Sequence, residues 1–351
     1  MRLLVRGACY PLLVAWLCFA ARAAAQADHG VDVHFISVGQ ADATLIRCAD
    51  RYMLIDAGDS RYPDSAKDFK SYLQSHVKSS PKAKRAKLDV VVVSHAHTDH
   101  IGSMKWVLEN YDVGTYVDGG DSAETKIWSD LSKLRGKLAK QGKLEYVNAK
   151  KAKAAELDFC PGSGVTLDLF SPWAYSKKLT DANDRSVVVR LGHGENSFLF
   201  VGDAHDNAEK VMLESLPDEL KRKLDVDVLK VGHHGSDTSS TAAFVMAVSP
   251  AFALISSGRK ETGTNTGYKH PRYSTLVTYT NWFKTASYKE RYAKVRFPGG
   301  KVWAYDAQSS WRQIQRPDGI WLTTVDGTII VRSDAKRLTV LGPADVVAPQ
   351  P

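Results

Sequence analysis

Three histidines and an aspartate fall within six residues in the segment Ser94-His95-Ala96-His97-Thr98-Asp99-His100. They follow the almost wholly apolar run 88–94, the pattern of a strand buried on both faces. The end of such a strand delivers a loop to a sheet edge, a common place for catalytic groups. Imidazole and carboxylate are the usual ligands of zinc and its neighbours, and this spacing is dense enough to serve two ions. A core packed for stability would not collect so many titratable groups in one loop. Two later segments are of the same kind. The apolar stretch 198–201 ends in Gly202-Asp203, and the stretch 226–231 runs into Gly232-His233-His234-Gly235-Ser236. A carboxylate such as Asp203 can bridge two cations. Three strand ends bearing His or Asp, from distant parts of the chain, predict one shared sheet edge.

The rest of the sequence supplies the scaffold. The chain has 351 residues, 44% hydrophobic and 25% charged. These ordinary values exclude a collagen, a coiled coil and a mostly disordered chain. Strands are predicted at 31–38, 44–47, 52–55, 88–94, 144–147, 165–170, 187–191, 197–201, 226–231, 251–256, 292–297, 301–305, 320–325 and 328–332. Helices are predicted at 64–78, from 101, at 124–140, 204–216 and 239–247, and from 272. With no repeat and no low-complexity linker, this mixture predicts one α/β domain of layered sheets over 26–340, followed by a loose tail at 341–351.

Residues 1–25 read as a secretory signal peptide: Arg2 and Arg6, a short apolar run, then small residues offering an A-x-A cleavage site. The mature protein is therefore expected to be secreted or periplasmic, without stable membrane insertion. Its formal charge falls from +8 to +5, because the leader holds three Arg and no acid. Cys48 and Cys160 are the cysteines that remain. One disulfide and two inert buried thiols are both compatible with the sequence.

The H-x-H-x-D-H loop, the later Gly202-Asp203 and His233 together resemble the metallo-β-lactamase superfamily. Within it, 31–43 with its Val38-Gly39-Gln40-Ala41-Asp42, Asp56-Ala57-Gly58, Asn183-Asp184-Arg185-Ser186 and 230–236 are similar to the nuclease-like domain of the ComEC-type DNA-uptake competence proteins. Secreted phosphorylcholine esterases share the pattern. The resemblance covers about 31–277, extending to 320–332, and implies an αββα sandwich with two divalent metal ions at the sheet edge, zinc by default and manganese as a competitor. His95 and His97 would hold one ion, Asp99 and His100 the other. Asp203 would bridge them, and His233 would complete the second site. His234 would contact substrate, and Asp56 would orient a ligand histidine. The typical further histidine of metallo-β-lactamases is missing from 181–186; the ComEC-like subgroup also lacks it, and one ion is left short of a ligand.

Other residues carry less specific signals. His205 reads as a surface histidine at a helix start, and His193 as part of a hairpin turn. Lys269-His270, before Pro271, suits an anionic oxygen near a metal site but equally an exposed loop. The segment 282–316 is an insertion with eight Lys and Arg against two acids, interleaved with eight aromatics. It fits a nucleic-acid groove. By default, alternation turns its aromatics inward and its bases outward, a solvated hairpin. The expected function is a secreted metal-dependent hydrolase of a phosphodiester, most simply nucleic acid, using a water activated between two ions. Asp99, His234, Lys269 and His270 are its candidate catalytic groups. The alternatives are a β-lactamase- or lactonase-type amide or ester hydrolase, and a metal-containing DNA-binding protein without turnover. Substrate, metal identity and oligomeric state are left open.

Overall fold

The computed structural model describes residues 30–120, 125–152, 154–292, 299–341 and 346–347. The signal peptide expected at 1–25 lies outside them. Among the described residues two large sheets face each other. The first runs, edge to edge, Val346–Val347, Leu338–Leu341, Ile329–Ser333, Val31–Phe35, Thr44–Cys48, Arg51–Ile55, Lys87–Val92, Asp112–Asp118 and Glu145–Asn148. The second runs Ile320–Leu322, Phe252–Ile255, Val228–Lys230, Asn196–Phe200, Val188–His193, Val165–Phe170 and Ala154–Glu156.

Side-chain alternation explains the layering. On Arg51–Ile55, Met53 and Ile55 join the core between the sheets, while Tyr52 and Leu54 join a second core under the helices. Val90 and Val92 divide from Val91 and Val93 in the same way. Both faces of this strand are therefore buried, as its apolar run predicts. Phe35 of one sheet stacks on Phe200 of the other with ring centroids 5.9 Å apart. The helix Pro63–His76 begins with proline, whose fixed φ suits the first turn, and buries Ala66, Phe69 and Leu73 along one stripe. This is an αββα sandwich.

The sheets are also tied covalently. Cys48, ending a strand of the first sheet, forms a disulfide with Cys160 on the approach to the second. That settles the alternative the sequence left open.

The strand directions set up the site. Arg51–Ile55, Lys87–Val92 and Asp112–Asp118 are parallel, as are Asn196–Phe200, Val228–Lys230 and Phe252–Ile255. Their carboxyl ends release the loops at 56–58, 93–100, 201–205, 231–236 and 256–258, and ligands of parallel sheets bind at such ends.

Several expectations need correction. The sequence reading overlooked Asp112–Asp118, which carries a glycine and ends in acids. Gly114 is required there because a Cβ would lie 2.6 Å from the Asp89 carbonyl oxygen. Tyr292 ends the helix Ala286–Tyr292 rather than starting a strand, and the rest of 292–297 lies outside the described residues. Part of the expected loose tail is paired: Leu338–Leu341 and Val346–Val347 extend the first sheet, with the remainder of 341–351 outside the described residues. No helix among the described residues is long and apolar enough to cross a membrane.

Glu209, on the helix Asp206–Glu214, is a buried carboxylate that accepts hydrogen bonds from the Ser240 and Thr241 backbone N–H groups at 2.5 and 2.8 Å. Burial outweighs those bonds and pushes it up to about 7 from 4.5. The folded protein thus holds this proton more tightly than the unfolded chain. The associated stability is fully present below pH 4.5 and is lost as pH rises through 7. The expected loss is on the order of 3 kcal/mol. Urea unfolding of wild type and Glu209→Gln from pH 4 to 8 checks it: the difference between their stabilities changes with pH if the shift is real, and stays flat otherwise.

Candidate metal centre

Asp56 ends its strand with φ of +58° and points its carboxylate across to the neighbouring strand end. Ser94 donates to it twice, from its backbone N–H to Oδ1 at 2.8 Å and from its hydroxyl to Oδ2 at 2.7 Å. His100 donates its Nδ1–H to the same Oδ2 at 2.8 Å. That fixes the tautomer and turns His100 Nε2 toward Asp203, whose Oδ2 is 3.1 Å away. Asp203 is presented by Gly202, at φ of +56°; a Cβ on Gly202 would lie 2.8 Å from the Ser186 hydroxyl and from Ser94 Cβ. The Asp203 N–H donates to the Ser186 hydroxyl at 3.1 Å.

The third strand end contributes two histidines with left-handed backbones, His233 at φ of +48° and His234 at +53°. Strain of this type in consecutive non-glycine residues costs on the order of 1 kcal/mol each and collects at functional sites. Here it turns His234 inward and leaves His233 at the rim. His234 donates Nδ1–H to the Ser256 carbonyl at 2.9 Å. Its Nε2 then lies 3.3 Å from Asp203 Oδ2 and 3.4 Å from Asp99 Oδ2. His233 is occupied through Nδ1 by the Thr238 hydroxyl at 2.8 Å, and its Nε2 is 3.8 Å from Asp203. The buried cluster thus contains His234, with His233 at its rim, whereas the sequence suggests His233 for the metal and His234 for the substrate.

His95 lies on the other side of Asp203, Nε2 to Oδ2 4.0 Å, with His97 Nδ1 3.0 Å from that same Nε2. His97 is exposed at the mouth. His205 starts a helix, as expected, and its Nε2 is 3.0 Å from His233 Nδ1. His193 is remote, with Nδ1 2.8 Å from the Ser333 hydroxyl. It belongs to the strand Val188–His193 rather than to the turn.

The sequence reading gave Asp42 no role of its own. It sits beneath the cluster, buried, and its Oδ2 receives the ammonium of the equally buried Lys230. Its Oδ1 is 3.5 Å from His234 Nδ1. A buried acid between two apolar strands was the available signal; its partner, far along the chain, was not readable.

Asp42, His100, Asp203 and His234 each offer a ligand atom, and these atoms lie within 4.8 Å of one another. Asp42 Oδ1, His100 Nε2, Asp203 Oδ1 and His234 Nε2 are buried without a hydrogen-bond partner. Each such atom costs about 1–3 kcal/mol, and a shared cation would satisfy several at once. This donor set fits a divalent metal ion. Without one, the charges compensate one another. Burial disfavours the imidazoliums of His100 and His234, but the facing carboxylates of Asp203, Asp56 and Asp42 hold both well above the usual histidine range. Burial would likewise raise Asp203, but these histidines hold it well below the usual carboxylate range. His233, at the rim, is pushed down to about 4 by desolvation.

A cleft of about 450 Å³ opens over the cluster, walled by His97, Asp99, Asn183, His270, Arg61 and Arg272 among others. His270 Nδ1 is 3.0 Å from Gln40 Nε2, so the amide donates and the ring keeps its proton on Nε2. Burial holds this imidazole well below the usual range, hence neutral. The Lys269 ammonium donates to the Tyr305 hydroxyl at 2.9 Å, and Arg61 and Arg272 are the arginines of the cleft wall.

Replacing Asp56 with asparagine puts an N–H₂ donor against either the His100 N–H or the Ser94 donors. Metal affinity is expected to fall by about 10–100-fold, measured by competition with a chromophoric chelator. An unchanged affinity contradicts the orienting role.

The family model of the metallo-beta-lactamase superfamily matches residues 36–158, which include the 94–100 loop. "Competence protein ComA" of Neisseria gonorrhoeae is 30% identical over 233 residues, 66% of this chain and 27% of that protein. "ComE operon protein 3" of Bacillus subtilis (strain 168) is 28% identical over 190 residues, 54% of this chain and 22% of that protein. The chain thus spans about a quarter of the length of these curated relatives. Among solved structures, the metallo-beta-lactamase fold protein YhfI from Bacillus subtilis is 12% identical with a TM-score of 0.41, covering 69% of this chain and 91% of that one. Residues 36–158 thus carry a metallo-β-lactamase superfamily domain, and the chain resembles ComEC-type competence proteins.

Proposed function

We propose that this chain is an exported, metal-dependent phosphodiesterase acting on nucleic acid. The observation that carries the reading is the convergence of His100 Nε2, His234 Nε2 and Asp203 Oδ1, buried and without hydrogen-bond partners, under a cleft whose wall includes Arg61 and Arg272. His100, His234 and Asp203 would hold one ion, joined by Asp99, 3.4 Å from His234, since the Asp42 carboxylate is taken by the Lys230 ammonium; His95, His97 and Asp203 would hold a second. Bound divalent ions supply Lewis acidity, activating a water and offsetting charge on the phosphoryl oxygens. The protein's own groups do the rest. Asp56 and the Ser256 carbonyl hold the two histidines in the tautomer that leaves Nε2 free. Gln40 holds His270 so that its Nε2–H can donate to a phosphoryl or leaving oxygen. Arg272 attracts the diester to the wall. Imidazole donors favour zinc, and the carboxylates keep manganese in contention.

Nucleic acid as the substrate draws support from the competence relatives. Export, with 1–25 as the leader of a single domain over 26–340, draws support from the disulfide, a feature of oxidising compartments.

The test is to purify the full chain, measure bound metal, and offer single-stranded DNA, duplex DNA, a phosphorylcholine ester and a β-lactam side by side. Nucleic-acid cleavage that is lost in His97→Ala supports the reading. Lactam turnover without diester cleavage, or metal-loaded DNA binding without turnover, overturns it.

A further inference from the structure

The C-terminal hairpin has no part in the chemistry above. Its strands Lys301–Tyr305 and Trp311–Gln315 pair antiparallel, with Lys301 opposite Gln315, Trp303 opposite Gln313 and Tyr305 opposite Trp311. Neighbouring side chains on a strand point to opposite faces. Val302 and Ala304 are fully buried, so Lys301 and Trp303 project from the other face, while Tyr305 on that face is itself buried beneath Lys269 and Arg272. Trp303 alone departs from the default that alternation suggests: Tyr305 is buried, Lys301 and Arg312 are exposed, and Trp282, Phe283 and Tyr288 of the helical part are buried.

Trp303 is 42% exposed, and cations gather around the ridge it forms. Lys260 Nζ lies 4.2 Å from the Trp303 ring centroid. Lys269 Nζ lies 4.6 Å and the Arg272 guanidinium 5.3 Å from the Tyr305 ring. The Tyr305 N–H donates to the Pro271 carbonyl at 3.0 Å. The ridge is thereby stitched to the segment that brings His270 and Arg272 to the cleft. Tyr268, 43% exposed, stands at the same cleft wall. Of the acids near it, Glu261 adjoins Lys260 and is exposed, Asp237 shares Arg272 at 3.8 Å, and Asp306 is taken by Arg312.

We propose that this face is a binding track for an unpaired nucleic-acid strand leading into the cleft, with a base stacked on Trp303 and phosphates on Lys260, Lys301 and Arg272. The inference rests on the phosphodiesterase reading for what lies at the end of the track. An exposed aromatic face at Trp303 flanked by cations matches the base and phosphates of a single strand. A duplex hides its base faces and would use only the cations.

The test titrates the full chain with a fluorescein-labelled oligo-dT and with a labelled duplex of equal length, reading anisotropy over a range of salt. Hydrolysis of bis(4-nitrophenyl) phosphate with added Zn²⁺ or Mn²⁺ runs in parallel. The single strand is expected to bind more tightly than the duplex. Trp303→Ala weakens that binding by about tenfold or more, Trp303→Phe stays near wild type, and Lys260→Ala lowers the log–log salt slope by about 0.7. All three variants hydrolyse the small diester at the wild-type rate. The track is overturned if Trp303→Ala binds oligo-dT as wild type does, or if the duplex binds as tightly as the single strand. A wild-type protein that binds oligo-dT as described but hydrolyses no diester sinks the catalytic reading alone, so the two failures are distinguishable.

Discussion

Asp203→Ala is expected to lose metal affinity by more than the roughly 100-fold upper end for residues that only orient a ligand, and to lose hydrolysis with it. Asp203 faces His95, His100, His233 and His234 at 4.0, 3.1, 3.8 and 3.3 Å, so it meets histidines from both strand-end loops. Removing it leaves the buried imidazoles of His100 and His234 without their strongest electrostatic partner, and both should shed protons. Asp203→Asn separates charge from shape. It keeps the packing against Gly202 and Ser186 but removes the anion, and it should fail nearly as badly in metal titration while retaining more stability. Isothermal titration with Zn²⁺ and Mn²⁺, together with thermal unfolding of the metal-free proteins, distinguishes lost ligation from lost folding. Asp203→Ala binding metal as wild type does would mean that the cluster is an ion-pair network and nothing more.

The second large effect concerns the Cys48–Cys160 bridge. It joins residues separated by 112 positions, so it removes a large loop from the unfolded ensemble. Loops of about 100 residues correspond to about 4.7 kcal/mol in the chain-entropy account. A Cys48→Ala/Cys160→Ala variant is expected to lose stability of that order in guanidinium unfolding. Dithiothreitol should shift the wild-type midpoint toward the variant's and leave the variant unchanged. A loss below about 1 kcal/mol would mean that the reduced chain already holds these two segments together.

The sequence exposed those parts of the site whose signal is local. The 94–100 loop concentrates its ligands within six residues, and Gly202-Asp203 and His233-His234 each end an apolar strand, so their convergence is an ordinary consequence of parallel strands. What it hid depends on distance or on backbone direction. The pairing of Asp42 with Lys230 spans 188 positions and leaves no local trace. Which of His233 and His234 turns inward follows from two left-handed residues in succession, where neither is a glycine to announce it. Lys269 has a left-handed backbone at φ of +60° and reaches Tyr305 of a hairpin that the sequence reading placed only in part. The strand Trp311–Gln315 escaped because Arg312, Gln313 and Gln315 break any apolar alternation. Its partner strand supplies the packing through Val302 and Ala304.

The most direct measurement is the metal content of the purified full chain after exhaustive dialysis, paired with the absorption spectrum of the Co²⁺-loaded protein, for wild type and His100→Ala. Retention of about two equivalents, with visible bands that weaken or move in the variant, is the predicted result. A wild-type protein that retains no metal and gives the spectrum of free aqueous Co²⁺ would contradict the claim that these strand ends form a metal centre.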